Sequence, residues 1–194
     1  MMTDQPAHCT AFDGDTLIAS GPLADIALAV KKAIKSGKSH PLLIFEDATG
    51  RAIDIDTRGS DDEIVERLAQ THPDLVDGPR GRGRPKLGVV AREVTLLPRH
   101  WDWLGSQPGG ASVTLRKLVD DARRSDQGRI AQAREATYRF LSAIAGDRPH
   151  FEDATRALFA GDQATFDRHI ARWPADIRNH ARKLAAHAFA KAGA

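Results

Sequence analysis

The run Arg92-Glu93-Val94-Thr95-Leu96-Leu97-Pro98, continuing into Arg99-His100-Trp101-Asp102-Trp103-Leu104, decides how this 194-residue chain is read. Arg92, Val94 and Leu96 alternate with Glu93, Thr95 and Leu97, the period of a strand. Pro98 ends that strand and suits the first turn of a helix, since it has no amide hydrogen to leave unpaired. Trp101 and Leu104 give the helix an apolar face, and Gly105 with Pro108-Gly109-Gly110 keeps it short. A second helix is predicted from about Ala111-Ser112. Leu115, Leu118, Val119 and Ala122 fall at i, i+3, i+4 and i+7, while Arg116, Lys117, Arg123 and Arg124 lie outside that stripe.

Working back from this unit, residues 71–88 are rich in Gly and Pro and read as a linker. Within it, Pro79-Arg80-Gly81-Arg82-Gly83-Arg84-Pro85-Lys86 places four cations on alternate residues, with no acid between Gly78 and Arg92. Such a segment buries nothing and attracts polyanions. Arg82-Gly83-Arg84-Pro85-Lys86 resembles the AT-hook, whose Gly-Arg-Pro core lies extended in the narrow minor groove of A·T-rich DNA. Glycine permits close approach to the groove floor, and arginines enter its enhanced negative potential. The other reading is a solvated charged tether.

Strand, proline, short helix, glycine turn and amphipathic helix in this order closely resemble the ribbon-helix-helix DNA-binding fold. The resemblance implies a homodimer in which two strands pair into an antiparallel ribbon that enters the major groove of double-stranded DNA. It also implies that Gly110-Ala111-Ser112, at the start of the second helix, points backbone amides at a phosphate. The sequence departs from the pattern where Leu96-Leu97-Pro98 runs on without an intervening polar residue. The strand register is therefore open by one. Thr95 with Glu93 is one candidate base-reading set, favoured because Val94 and Leu96 suit burial, and Arg92 with Val94 is the other.

Charge is unevenly spread along the chain. Residues 1–78 carry 7 Lys/Arg against 14 Asp/Glu, residues 79–125 carry 10 against 4, and residues 126–194 carry 11 against 8. The middle is built to meet a polyanion and the acidic beginning to avoid one. A single cysteine, Cys9, excludes an intramolecular disulfide and reads as a small buried hydrophobe. With no signal-peptide pattern at the start and no apolar run of 18 residues, the protein is expected in the cytoplasm, at the nucleoid, and not in a membrane.

Residues 1–70 read as a small acidic α+β domain of order β-β-α-β-β-α. Asp13-Gly14-Asp15 turns the first hairpin, Leu23 to Lys35 forms a helix, and Leu42–Glu46 pairs with Ala52–Asp56 around Asp47-Ala48-Thr49-Gly50. Ser60-Asp61-Asp62-Glu63 is a capping box that opens the next helix. Asp54 and Asp56 share a strand face near Glu46 and Asp47. Four carboxylates there have the makings of a metal site, yet a wet outer face accounts for them and is preferred.

Residues 126–194 read as four short amphipathic helices, a helical bundle, with stripes through Ile130, Thr137, Leu141 and Ile144; Phe151, Ala154, Leu158 and Phe159; Phe166 and Ile170; and Ile177, Ala181, Leu184 and Ala188. His169, His180 and His187 lack the spacing of a zinc site and read as exposed, while Tyr138, Phe140 and the tryptophans read as core. No nucleophile elbow, phosphate-cradling loop or Cys/His metal motif is present, so neither catalytic residues nor a cofactor or metal are expected.

Over Gly81 to Ala122, and from Phe151 to Leu184 with its Phe-x-x-Ala-x-x-x-Leu-Phe-x-Gly-Asp and Trp-Pro-x-Asp-Ile, the chain resembles an uncharacterised bacterial domain-of-unknown-function family, which implies no activity. The residues therefore carry the functional expectation. That expectation is an α+β chain with a ribbon-helix-helix-like centre at residues 89–125, binding DNA as a transcriptional regulator or nucleoid-associated factor. A protein- or ligand-binding interaction protein with a merely solvated linker is the alternative.

Overall fold

A computed structural model describes residues 8–37, 40–76 and 90–190. The chain opens with β1 (His8–Asp13), β2 (Thr16–Pro22), α1 (Leu23–Lys35), β3 (Leu42–Glu46), β4 (Ala52–Ile53) and α2 (Asp61–Thr71). This is the expected β-β-α-β-β-α order. The strands form one antiparallel sheet in the order β2-β1-β3-β4. Gly14, at φ +54°, turns the first hairpin, and a bulge at Ala11/Phe12 adjusts its register. The capping box forms in full: the Glu63 amide donates to Ser60 Oγ at 3.2 Å, and the Ser60 amide donates to Glu63 Oε2 at 2.7 Å. Strand β4 is shorter than the Ala52–Asp56 of the sequence reading. Asp56 is spent on other partners, its carboxylate accepting from Arg58 and its carbonyl from Arg67 Nη1.

After the basic segment the chain is helical: α3 (Pro98–Ser106), α4 (Gly110–Arg124), α5 (Asp126–Ile144), α6 (Phe151–Ala160), α7 (Gln163–Ile170) and α8 (Ala175–Leu184), ending in a 3-10 turn at Ala185–His187. Side-chain alternation on β1 and β3 then decides the architecture. Cys9, Ala11 and Ile44 face α1 and α2, packing with Leu23, Ile26, Ala27, Val30, Ile64 and Leu68. Phe12 and Phe45 face the other way, into a core with Phe140, Leu141, Leu158, Phe166, Ile170, Trp173 and Ile177. The sheet is thus covered on both faces, and the N-terminal strands and C-terminal helices share a core. β1 is buried over Cys9–Asp13 because helices occupy both sides, whereas Asp54, on the strand expected to carry a wet face, is exposed.

Some side chains depart from the sequence reading: Phe159 is exposed and packs edge-on against Tyr138, itself exposed instead of core, and His180 is buried instead of solvated.

Two close approaches fix the layers. Gly50, at φ +66° in the β3–β4 turn, lies so near α5 that a Cβ would stand 1.9 Å from the Ala136 carbonyl oxygen. At the α4–α5 corner, Ser125 ends one helix and caps the next, its Oγ accepting from the Gly128 amide at 3.0 Å. A Cβ on Gly128 would sit 2.0 Å from the Ala122 carbonyl oxygen. Gly50→Ala is expected to cost about 3 kcal/mol, from left-handed strain plus overpacking, read as a lowered denaturation midpoint. Gly21→Ala, at a site with nothing within 4 Å, is expected to be near neutral in the same assay.

Candidate functional site

The region the sequence singles out, residues 90–124, differs from the rest of the chain in what it leaves uncovered. Residues 90–97 carry no helix or strand, and α3 begins at Pro98, as expected, with Leu97 extended before it. Gly109 (φ +88°) and Gly110 (φ +73°) make the turn into α4. Of the large hydrophobic side chains in this region only Leu104 is buried, whereas Val90, Val94 (54% exposed), Leu97, Trp101, Trp103 (51% exposed), Leu118 and Val119 are all exposed. Trp101 and Trp103 thus fall outside the core in which they were expected, while Trp173 is within it. The two helices pack on each other and α4 meets α5 at its end, but α4 buries no residue.

Arg92, Glu93 and Thr95 are exposed in the segment before α3, with Leu96 half-buried between exposed neighbours. The expected strand over 92–97 is absent because nothing among the described residues pairs with it. A ribbon of the kind the sequence suggests is made between two chains, so one chain alone leaves it without a ladder. Gly110, Ala111 and Ser112 form the first turn of α4, which has neither a side-chain cap nor an acidic residue. The Gly110 amide donates to the Gln107 carbonyl at 3.0 Å, which leaves the amides of Ala111 and Ser112 to an anion. Arg80, Arg82, Gly83, Arg84, Pro85 and Lys86 lie outside the described residues.

Polar groups also converge between the sheet and α8. The Asp47 carboxylate, its side chain 10% exposed, accepts from Thr10 Oγ1 at 2.8 Å and from Lys183 Nζ at 2.8 Å, and lies 2.9 Å from His8 Nδ1. The buried His180 presents Nε2 3.5 Å from Asp47 Oδ1 and packs edge-on against Phe140 and Phe12. Burial alone would raise the Asp47 pKa. Hydrogen bonds from Lys183 and Thr10, with the field of His180, outweigh that and hold the carboxyl below its usual range. For His180 burial dominates, lowering its pKa to about 4 against the opposing pull of Asp47. Cys9, below the same cluster, is pushed up to about 12 by burial and by Asp47, and is an inert thiol.

Sequence reasoning assigned Asp47 to a wet strand face and His180 to solvent. The contacts that overturn those assignments join distant parts of the chain: Lys183 of α8 reaches Asp47, and Phe12, Phe140 and Asp47 enclose His180. Glu46, Asp54 and Asp56 do not converge with Asp47 on a metal site. Glu46 accepts from Thr49, Asp56 pairs with Arg58 and Arg67, and Asp54 is exposed. A groove of about 400 Å³ beside Asp47, between the β3–β4 turn, α5 and α8, is lined in part by Arg129, Gln132, Lys183 and His187. Two of its cations are already engaged, Arg129 with Asp126 and Lys183 with Asp47.

Among the described residues no helix is long and apolar enough to cross a membrane. A family model described as "Uncharacterized protein conserved in bacteria (DUF2239)" matches residues 8–185. Searches of curated proteins and of solved structures returned no match.

The charge cluster makes stability depend on pH in a defined direction. His180 is neutral in the folded protein until about pH 4 and takes up its proton near pH 6.5 when unfolded. The unfolded chain therefore binds the extra proton in between, and stability falls as pH drops from 6.5 to 4, by up to about 3 kcal/mol. Asp47, lowered in the folded state, adds a loss that starts below its ordinary value. Urea denaturation at stepped pH should show the first slope in wild type and a flatter one in His180→Gln.

Proposed function

The chain belongs to the bacterial family DUF2239, and we propose that it binds double-stranded DNA as a homodimer, as a transcriptional regulator or nucleoid-associated factor. Residues 92–97 of two copies pair into an antiparallel ribbon for the major groove. The preceding arm, with Arg80, Arg82, Arg84 and Lys86 around Gly83 and Pro85, reaches into an A·T-rich minor groove or grips phosphates. The start of α4, at Gly110-Ala111-Ser112, takes a phosphate on its amides.

The observation that carries this reading is the uncovered apolar surface of the α3–α4 unit. Val94, Leu97, Trp101, Trp103, Leu118 and Val119 are exposed around a single buried Leu104. A module with this pattern lacks half of its core, and a second copy supplies the missing half in a ribbon-helix-helix dimer. In the register in which Thr95 and Glu93 read bases, the partner's ribbon covers Val94, exposed in one copy, and the half-buried Leu96. The net positive charge of residues 79–125 supports the choice of a polyanion as ligand. A different protein covering the same apolar face is the second reading, and it predicts a monomer in solution.

Light scattering of the purified protein is expected to give a dimer, and Leu97→Asp a monomer. The substitution should leave the sheet core intact, because Leu97 touches none of it. A monomeric wild type would remove the ribbon. Fluorescence anisotropy on A·T-rich and G·C-rich duplexes should show tighter binding to the former, with affinity falling steeply as salt rises. The slope should shrink by about one log-log unit for each phosphate contact removed in Arg82→Ala/Arg84→Ala. Equal binding by wild type and the double variant would discard the arm's role.

A further inference from the structure

Where the loop after α5 enters α6, two histidines distant in sequence face one carboxylate. His150, Asp153 and His169 offer donor atoms that all lie within 4.8 Å of one another. His150 Nδ1 stands 3.6 Å from Asp153 Oδ2, and the His150 and His169 rings are 5.4 Å apart. His150 comes from the turn before α6, Asp153 from the first turn of α6, and His169 from the last turn of α7. We propose that these three side chains bind a divalent transition-metal ion, zinc first among them. The inference is independent of the DNA-binding reading.

The chemistry of the set selects the class of ion. Two imidazoles and one carboxylate suit zinc or a neighbouring first-row metal, whereas calcium and magnesium prefer oxygen ligands throughout. Ligand atoms on a tetrahedral zinc lie roughly 3.3 Å apart, given bonds of about 2.0–2.1 Å. The present spacing of up to 4.8 Å is therefore open by at most about 1.5 Å, within reach of rotamer shifts by partly exposed rings. Three protein ligands leave a fourth position for water.

The backbone adds an independent reason. His150 has φ +65°, the one non-glycine residue with positive φ among those described. Glycine would hold that turn at lower cost. Nor does the imidazole repay the strain by capping α6, because no side-chain cap hydrogen bond is made there. What the conformation achieves is to set the ring beside Asp153 and His169.

The frame around the ligands is firm. Trp173 Nε1 donates to the Pro149 carbonyl at 2.9 Å, the Ala154 amide donates to the His150 carbonyl at 2.9 Å, and Phe166 and Ile170 anchor α7 on either side of His169. Arg156 Nη1 donates to Asp153 Oδ1 at 3.0 Å, which leaves Oδ2 on the histidine side. This contact orients the carboxylate as an outer partner of a metal ligand does. It also places a cation near the site and so limits affinity to the micromolar range.

The test is calorimetric titration of zinc chloride into chelator-treated full-length protein, with cobalt(II) absorption as a second probe. One equivalent of zinc should bind at micromolar or lower Kd and raise the melting temperature. His169→Ala should weaken binding at least tenfold, whereas His187→Ala should not. His150→Gly should fold at least as stably as wild type, since it relieves the left-handed strain, and still lose the metal. Binding weaker than micromolar in wild type, or affinity unchanged in both His169→Ala and His150→Gly, would overturn the proposal.

Discussion

Asp47 is the constraint on which the arrangement of the sheet and the last helix depends. A carboxylate removed from water at the end of β3 is tolerable only when paired, and the partners come from two distant elements. His8 and Thr10 on β1 hold it within the sheet, while Lys183 from α8 ties it to the opposite end of the chain. Removing one partner would leave a charge buried without compensation, which costs more than the pairing itself contributes. The cluster therefore acts chiefly by specifying where α8 may dock. Burial of Phe12 and Phe45 against the helices is non-directional, whereas the Lys183–Asp47 hydrogen bond has a defined geometry.

The α3–α4 unit obeys the opposite rule. Its apolar groups are numerous, but nothing among the described residues covers them, and its cationic residues face outward with them. Within a single copy, Leu104 is the only large hydrophobic side chain of the unit that is buried. The sandwich completes itself by folding, whereas this unit is left open to association. In the proposed dimer, one chain would combine a self-sufficient part with a part whose stability is linked to concentration.

Much of the fold was legible because its signals are local. The Asp-Gly turn at residues 13–14, the capping box at Ser60, Pro98 at the head of α3 and the glycine turn before α4 each act within a few residues, and each appears where the sequence places it. What could not be read depends on contacts distant in sequence. The second cover of the sheet comes from helices more than a hundred residues beyond β1, so acids on a strand looked solvated. His180 looked exposed because its neighbours Phe12, Phe140 and Asp47 are brought there only by tertiary packing. His150 and His169 lie nineteen positions apart on different elements, a separation that no helical periodicity marks. The segment 92–97 shows the alternation of a strand without forming one, since a ladder needs a second strand.

The corner at Ser125 has a mechanical consequence. One residue closes α4 and opens α5, and the close backbone approach at Gly128 leaves no room for the two helices to fold further together on that side. Helix α5 is also the long element that lines the core of the sandwich. The angle of the open unit is thereby tied to the packing of the body, so that a tilt imposed at one end is carried through a stiff elbow to the other. Two copies joined through their α3–α4 units would hold their sandwiches at a set angle, as the arms of a rigid bracket are held by its bend.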